Sequence, residues 1–308
     1  MSNVLVIVGP TASSKSALSL EIAESIPTEI ISADSMQVYK GMDIGTAKIN
    51  PEKQKSVKHH LIDVASISEP FSAALYQKQA REAIVEVQKK NNLPIIVGGT
   101  GLYIRAVIYK LRFPEAPEEQ TKKVRKLLEA ELAEKGLAYL QEKLMEKDKE
   151  AYENTDIDNS RRVVRALEVI EVTGKPYSGY RRDWDNLQFE YPAVLIGLKM
   201  PREMLYERIN KRVDEMIAKG LLEETARLVE LGLKKALVAK QALGYKELIE
   251  FNEGKVSFEE AIETIKKRTR QFAKRQLTWF KKDPNIKWYD ISETPLKTIA
   301  AEAINLLK

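Results

Sequence analysis

Cysteine is absent from this chain of 308 residues, and histidine occurs only twice. The sequence therefore has neither a disulfide framework nor a thiolate metal site, and two histidines disfavour a zinc centre. No apolar run approaches the ~20 residues that a membrane-spanning helix requires. The N-terminal stretch MSNVLVIVGP lacks the basic flank and cleavage site of a signal peptide and is typical of a first β-strand. We expect a cytoplasmic protein with no membrane partner.

Charge is moderate in amount but uneven in distribution. Charged residues make up 31% of the chain and hydrophobic residues 44%, and the net charge is +5, which is ordinary for a soluble globular protein. Between Ser257 and Lys282, however, eight basic residues accompany only three acidic ones, and NSRRVVR at 159–165 is a second basic cluster. Charge alone leaves two interpretations open, namely solvated helix faces or surfaces on which a polyanion lies.

Short apolar runs predict strands that are buried on both faces of a parallel sheet. These runs lie at 3–9, 29–35, 59–64, 93–100 and 193–200. Amphipathic helical stretches separate several of them, at 16–25, 72–91 and 202–219. The alternation predicts an α/β fold in which helices flank a parallel sheet with right-handed crossovers.

The alternation of strands and helices is interrupted in the middle of the chain. A Pro- and Glu-rich junction, FPEAPEEQ, is followed by a long helical series without a strand-like run. We therefore predict a helical insertion domain at 113–191 within an α/β core formed by 1–112 and 192–308. The C-terminal region is predicted to be mostly helical. Four apolar residues of its basic helix fall at helical spacing, which favours core-facing positions over stacking on bases: Ile262, Ile265, Phe272 and Trp279.

The stretch GPTASSKS at 9–16 nearly matches the phosphate-binding loop G-x-x-x-x-G-K-[ST], and it lies between a predicted strand and a predicted helix. In such a loop, successive backbone N–H groups converge on an anion at the helix N-terminus. Lys15 would reach the outer phosphate, and the Ser16 hydroxyl would bind Mg²⁺. Ser14 occupies the position of the second glycine, where a left-handed conformation costs a serine about 1–2 kcal/mol. The remaining residues of the predicted phosphate site are Gly9, Pro10, Thr11, Ala12 and Ser13.

Polar side chains follow two other predicted strands, at the edge where open α/β sheets build their sites. Asp34 is predicted to follow a strand next to the phosphate loop, where its carboxylate binds Mg²⁺ through water or accepts a proton. Its alternative role is to cap the following turn. In VGGTGLY at 97–103, paired glycines allow another group to approach the backbone and Thr100 offers a hydroxyl. A plain turn into a helix is the alternative there.

Arg208 and Arg212 are four residues apart, on one face of a predicted helix. Enzymes that handle phosphoryl groups use such arginines to neutralise charge on a leaving phosphate. Surface ion pairs with Glu207 or Glu215 explain the spacing equally well in isolation.

Taken together, these segments resemble the tRNA dimethylallyltransferases, also called tRNA isopentenyltransferases. The matching segments occur in the family's order and extend from Val4 to about Trp288: GPTASSKS, ISADSMQVYKGMDIGTAK, PIIVGGTGLYIRA, NSRRVVRALEVIEVTGKP, RINKRVDEMIAKGLLEE, QALGYKE and TRQFAKRQLTWF. DSMQVYKGMDIGTAK and KRQLTWF are much more specific than the phosphate loop. Ser14 departs from the glycine that is usual in the family. The resemblance implies a P-loop NTPase-like sheet.

The resemblance also implies a reaction, in which a dimethylallyl group passes from dimethylallyl diphosphate to N6 of the adenosine 3′ to a tRNA anticodon. The loop would then hold the donor's diphosphate, with Mg²⁺ at Ser16, and no nucleotide would be hydrolysed. Lys15 and Arg212 would stabilise the departing diphosphate. Asp34 would accept the proton from N6, and Thr100 would orient that amine.

The partners implied by the resemblance are dimethylallyl diphosphate and the anticodon stem-loop of tRNA. We expect the protein to be a monomer. The matching positions that would touch tRNA are Asp34, Ser35, Met36, Gln37, Thr100, Arg125, Arg161, Arg162, Arg165, Gln241, Gly244, Tyr245 and Lys246. Three alternatives stay open: a small-molecule P-loop kinase that uses ATP, an adenylate isopentenyltransferase that acts on free AMP, ADP or ATP, and a non-catalytic RNA-binding module. The two basic clusters favour tRNA over a small acceptor.

Overall fold

The computed structural model describes residues 3–115, 117–180 and 187–307. The chain forms two compact units, one of Met1–Ile108 together with Glu190–Lys308 and the other of Tyr109–Phe189. The second unit is inserted between two parts of the first. Its ends lie close to the limits 113 and 191 expected for an insertion.

The first unit is built around a parallel sheet of six strands in the order β3-β2-β4-β1-β5-β6 within the described residues. The strands are β1 Val4–Val8, β2 Thr28–Ala33, β3 His59–His60, β4 Leu93–Gly98, β5 Ala193–Lys199 and β6 Ile286–Asp290. All five residues of β1 are buried, as expected for a central strand with helices on both faces. The P-loop-like parallel sheet predicted from the sequence is confirmed.

Two details of the predicted sheet were wrong. The run at 59–64 contributes only His59–His60 to the sheet, because Leu61 and Asp63 have positive φ angles and turn the chain. Asp34 does not follow a strand adjacent to the phosphate loop. β4 lies between β1 and β2 and hydrogen bonds to both, so the chain segment at 99–100, rather than Asp34, is the loop's immediate neighbour.

Helices cover both faces of this sheet. In chain order they are α1 Lys15–Ala23, α2 Pro51–Ser56, α3 Ala73–Lys89 and α4 Gly101–Ile108, and then, after the second unit, α8 Arg202–Ala218, α9 Leu221–Glu230, α10 Tyr245–Asn252, α11 Phe258–Phe280 and α12 Leu296–Leu306. Short 3₁₀ turns at Leu233–Lys235 and Ala239–Gln241 precede α10. Apolar side chains of α1 and α12 pack with β1, β4 and β5 in one continuous core.

The second unit is helical and has a core of its own. Its described helices include α5 Glu118–Lys147, α6 Lys149–Asn154 and α7 Ser160–Thr173. Gly136 breaks α5 with φ 82° and ψ 175°, a conformation that glycine adopts readily. Leu128 and Leu140, from the two halves of α5, are buried against Leu167 of α7. Asp148 caps α6 through the N–H of Ala151 at 3.0 Å.

Candidate active site

Three loops meet at the carboxyl edge of the sheet. The phosphate loop follows β1, Gly99 and Thr100 follow β4, and Asp34 follows β2. Since β2, β4 and β1 are consecutive in a parallel sheet, the residues after these strands lie side by side. Side chains that are far apart in sequence are thereby brought to one place.

The phosphate loop has the backbone that its motif predicts. Ser14 is left-handed, with φ 65° and ψ 20°, and Ala12 has φ 63°. Lys15 donates to the Pro10 carbonyl at 2.6 Å, and the Ser13 hydroxyl donates to the same oxygen at 2.8 Å. The two ends of the loop are thus tied together at the Pro10 carbonyl, and α1 begins at Lys15, within the motif.

A cavity of about 380 Å³ lies against this loop. Its cationic groups come from the loop and from α8, and they are Lys15, Arg208, Lys211 and Arg212. Burial, and to a smaller extent the charge of Arg212, lower the pKa of Lys15 from 10.5 to about 7, and the charge of Asp34 opposes the shift. Four cationic side chains and one carboxylate, Glu215, line the cavity, so it favours an anion, whose negative charge would raise the pKa of Lys15.

The two arginines contact the loop rather than neighbouring carboxylates. Arg212 donates to the Thr11 hydroxyl at 3.4 Å, and Arg208 donates to the Ser14 hydroxyl at 3.1 Å. Within the described parts of the chain, neither arginine forms an ion pair with Glu207 or Glu215. Burial lowers the pKa of Arg212, an effect that Glu215 opposes, but a guanidinium stays charged in proteins.

Asp34 both caps a turn and lines a second cavity. Its Oδ1 atom accepts hydrogen bonds from the N–H groups of Met36 at 2.9 Å and Gln37 at 3.3 Å. Burial raises the pKa of Asp34, although these hydrogen bonds and the charge of Lys15 oppose the shift. The Thr100 hydroxyl accepts from the Ser35 N–H at 3.0 Å, which joins the β4 loop to the segment that follows β2.

A second cavity, of about 320 Å³, contains Asp34 and Thr100. Arg212 lines both this cavity and the phosphate-loop cavity. Much of the remaining wall is apolar and comes from α8, the start of α9 and α11: Val213, Met216, Leu221, Ile265 and Phe272. The arrangement places a carboxylate, a hydroxyl and the half-buried guanidinium of Arg212 around a space that fits an apolar group.

Sequence reasoning missed two residues that hold these loops in place. Gln276 of α11 accepts from the Thr11 N–H at 2.8 Å and donates to the Gly99 carbonyl at 3.0 Å. It approaches Gly99 so closely that an added Cβ would lie 2.1 Å from its Nε2 atom. Glu224 of α9 is buried and accepts from the N–H groups of residues 43–45. The sequence contained one signal for Gln276, since this residue lies within TRQFAKRQLTWF, a segment that carries the family resemblance.

The other expected tRNA-contact residues of the first unit differ in exposure. Gln241 and Gly244 line the second cavity, as do Ser35 and Met36, and Lys246 is exposed. Gln37 is engaged with Ser32 at 3.0 Å and with the Thr46 carbonyl at 3.1 Å. Tyr245 is fully buried and donates to Glu224 at 2.6 Å. The structure therefore does not bring Tyr245 to the surface.

In the second unit, the arginines expected to contact tRNA lie on α5 and α7. Arg125 and Arg165 both pair with the buried carboxylate of Glu168, Arg125 at 2.5 Å. Arg162 pairs with Asp156 at 3.1 Å, and Arg161 is exposed. The unit thus presents arginine side chains on α5 and α7.

The interpretation that the four spaced apolar residues of α11 face the core was wrong for Phe272 and Trp279. Ile265 is buried and Ile262 is half-buried. Phe272 is half-buried and lines the second cavity, and Trp279 is 41% exposed. The Trp279 indole packs over Gly101, where an added Cβ would lie 2.1 Å from its ring, and this leaves part of the ring in solvent.

One group of potential metal ligands occurs in the described chain, formed by Glu29, His60 and Glu86. Glu29 lies at the beginning of β2, at the end of the strand remote from Asp34. Its carboxylate already contacts Lys90 at 2.9 Å and His60 at 2.7 Å. Because its charge is balanced there, the group is an ion-pair network rather than part of the candidate site. Over the described residues, no helix has both the length and the apolar character needed to cross a membrane.

Comparisons with known proteins identify the family to which this chain belongs. Residues 37–283 match the family model described as IPP transferase. The chain is 48% identical over 301 residues to the tRNA dimethylallyltransferase of Carboxydothermus hydrogenoformans, covering 98% of this chain and 96% of that one.

Solved structures that are similar to this chain belong to the same family. The tRNA delta(2)-isopentenylpyrophosphate transferase of Staphylococcus epidermidis superposes with a TM-score of 0.73 at 42% identity, over 100% of this chain and 99% of that one. A eukaryotic dimethylallyltransferase that acts on tRNA gives a TM-score of 0.82 at 26% identity, over 99% of this chain and 78% of that one. The chain therefore belongs to the IPP transferase family, among the tRNA dimethylallyltransferases.

Proposed function

We propose that the protein transfers a dimethylallyl group from dimethylallyl diphosphate to N6 of the adenosine 3′-adjacent to the anticodon in tRNA, with release of diphosphate. The two cavities together would hold the substrates of this reaction. The observation that carries this proposal is that Arg212 lines both cavities. One cavity has the cations that a diphosphate requires, and the other has a carboxylate and an apolar wall. A donor that spans the two would place its reactive carbon near Arg212.

The phosphate-loop cavity is suited to hold the leaving group. The first amides of α1 have no side-chain cap from Ser14, so they are available to an anion. Lys15 and Arg212 would stabilise the negative charge that develops on diphosphate as its ester C–O bond breaks. This stabilisation makes the dimethylallyl carbon electrophilic enough for a weakly nucleophilic amine.

Mg²⁺ is the proposed cofactor, and Ser16 is the residue that would hold it. Ser16 is exposed on the cavity that also contains Lys15. Its hydroxyl is a hard oxygen donor of the kind that suits Mg²⁺, an ion that usually takes its other ligands from phosphates and waters. When bound, Mg²⁺ would supply further neutralisation of the diphosphate.

Asp34 is the proposed general base. One of its oxygens is held by two backbone N–H groups, which leaves the other oxygen for the substrate amine. The N6–C bond would form as the C–O bond to diphosphate breaks, and the N6 proton would pass to Asp34. Thr100, held by Ser35, would orient the amine.

The proposed tRNA contacts involve both units. The exposed Arg161 of α7 and the basic surface of α11 supply positive charge for the phosphates of the anticodon stem-loop. The second unit would thus act as an insertion that binds tRNA. The target base must leave the loop stack to reach Asp34, which costs less in a single-stranded loop than in a duplex. We further propose that the protein acts in the cytoplasm as a monomer.

The proposal is tested by incubating the purified protein and Mg²⁺ with labelled dimethylallyl diphosphate and either unmodified tRNA or AMP. We expect label in tRNA only, at the adenosine next to the anticodon. Label in AMP only would assign the chain to adenylate prenylation instead. Consumption of ATP without transfer of a prenyl group would indicate a kinase.

A further inference from the structure

Ser14 has a partner that a glycine at this position would lack. Its hydroxyl accepts a hydrogen bond from Nη1 of Arg208 at 3.1 Å, across 194 positions of sequence. Both residues line the phosphate-loop cavity together with Lys15. The serine is in the left-handed conformation, which is unfavourable for any residue with a Cβ atom. Ser14 thus adopts an unfavourable backbone conformation and makes a specific hydrogen bond, and this combination suggests a functional role for its hydroxyl.

The contact is one of two similar contacts between the loop and α8. Arg212, one helical turn after Arg208, donates to the hydroxyl of Thr11. Each arginine is thus held at the cavity by a hydroxyl of the loop. We propose that Ser14 is a positioning residue, whose hydroxyl holds Arg208 over the loop so that its guanidinium binds the donor's diphosphate beside Arg212. This inference rests on the proposed function in taking the anion to be a diphosphate.

The physical need for such a contact follows from the different environments of the two arginines. Arg208 is exposed, whereas Arg212 is half-buried. A long exposed side chain loses rotamer freedom when it binds a ligand, and fixing it beforehand reduces that loss. A guanidinium has five N–H donors. The hydrogen bond to Ser14 uses one of them and leaves others for phosphate oxygens.

A competing interpretation holds that Ser14 is merely tolerated in a loop that would prefer glycine. The two interpretations predict opposite results for Ser14→Gly. Glycine removes the conformational strain and the hydroxyl together, whereas Ser14→Ala removes the hydroxyl and keeps the strain. If only strain matters, Ser14→Gly binds the donor as well as the wild type or better. If the hydroxyl positions Arg208, both variants bind it less tightly.

The experiment measures the KM for dimethylallyl diphosphate at saturating tRNA. We expect Ser14→Ala and Ser14→Gly each to raise it by about five- to thirtyfold, the loss of one charge-assisted hydrogen bond, with little change in the KM for tRNA. Arg208→Gln should give a similar or larger increase. In the Arg208→Gln background, Ser14→Ala should have no further effect, because its partner is gone. Arg202→Gln is the matched control, since Arg202 is exposed on the same helix but contacts Tyr206 instead.

Calorimetric titration with inorganic diphosphate and Mg²⁺ provides a second readout that does not depend on transfer to tRNA. The same variants should weaken diphosphate binding by a similar factor, while their thermal unfolding shows that they are folded. If the wild type binds diphosphate and shows these effects but does not prenylate tRNA, the proposed function fails and the role of Ser14 stands. Additive effects of Ser14→Ala and Arg208→Gln, or unchanged diphosphate affinity in both Ser14 variants, would overturn the inference.

Discussion

Gln276 joins two of the three loops of the candidate site, and its replacement is expected to damage both stability and activity. The side chain is 6% exposed and bonds to the Thr11 N–H and to the Gly99 carbonyl. Gln276→Leu removes both hydrogen bonds at similar side-chain size. Gln276→Glu keeps an acceptor for Thr11 but places a carboxylate oxygen against the Gly99 carbonyl.

The expected loss of stability follows from the groups that are left unpaired. A buried donor or acceptor without a partner costs about 1–3 kcal/mol. Gln276→Leu leaves two such groups, and we expect its free energy of unfolding to fall by about 2–6 kcal/mol, with the lower end applying if water reaches the half-buried Thr11. This is a large part of the 5–15 kcal/mol that stabilises a typical domain. Gln276→Glu loses one hydrogen bond and adds repulsion between two oxygens, so it should also be destabilised.

Urea unfolding measures the free-energy change, and single-turnover transfer to tRNA measures the effect on the site. Because Thr11 belongs to the phosphate loop and bonds to Arg212, and Gly99 precedes Thr100, we expect transfer to slow even under conditions in which Gln276→Leu is fully folded. Gln271→Leu is the matched control, since Gln271 is an exposed residue of the same helix. Wild-type stability and wild-type transfer rate in Gln276→Leu would refute the reasoning.

Four further predictions concern the base, the pH dependence of the reaction, the RNA surface and the packing around the site. Asp34→Asn should bind tRNA normally but transfer about 10²–10⁴-fold more slowly; a loss below tenfold would rule out its role as base. Because burial raises the pKa of Asp34 and the base must be ionised, kcat/KM of the wild type should fall with decreasing pH at a higher pH than an ordinary aspartate would give. Arg161→Ala should weaken tRNA binding and reduce the slope of log K against log salt by about 1, and an unchanged slope would exclude a phosphate contact. In Gly45→Ala the new Cβ would lie 2.5 Å from the Tyr245 ring, so urea unfolding should show a loss of about 1–3 kcal/mol; Gly179→Ala, which meets nothing within 4 Å, should show no such loss.

Local patterns in the sequence were sufficient to predict most of the framework. Apolar runs and amphipathic stretches predicted the strands and helices of the sheet, because each pattern reflects the period of one element. The motif at 9–16 predicted a phosphate loop with a left-handed Ser14, because the constraint is steric and involves only neighbouring residues. The helical series without strand-like runs predicted a separate helical segment, and the structure has a helical unit at Tyr109–Phe189.

Only the tertiary structure decided which side chains meet. The order of the strands, with β4 between β1 and β2, depends on pairing between distant segments, and no local period encodes it. Gln276 reaches Thr11 across 265 positions, and Arg208 reaches Ser14 across 194. Tyr245 is buried, although its motif predicted a contact with tRNA. Trp279 is partly exposed, although its helical spacing predicted a position facing the core. The sequence by itself determined the loop, the elements and the family, whereas the contacts that orient the reactive groups were determined by long-range packing.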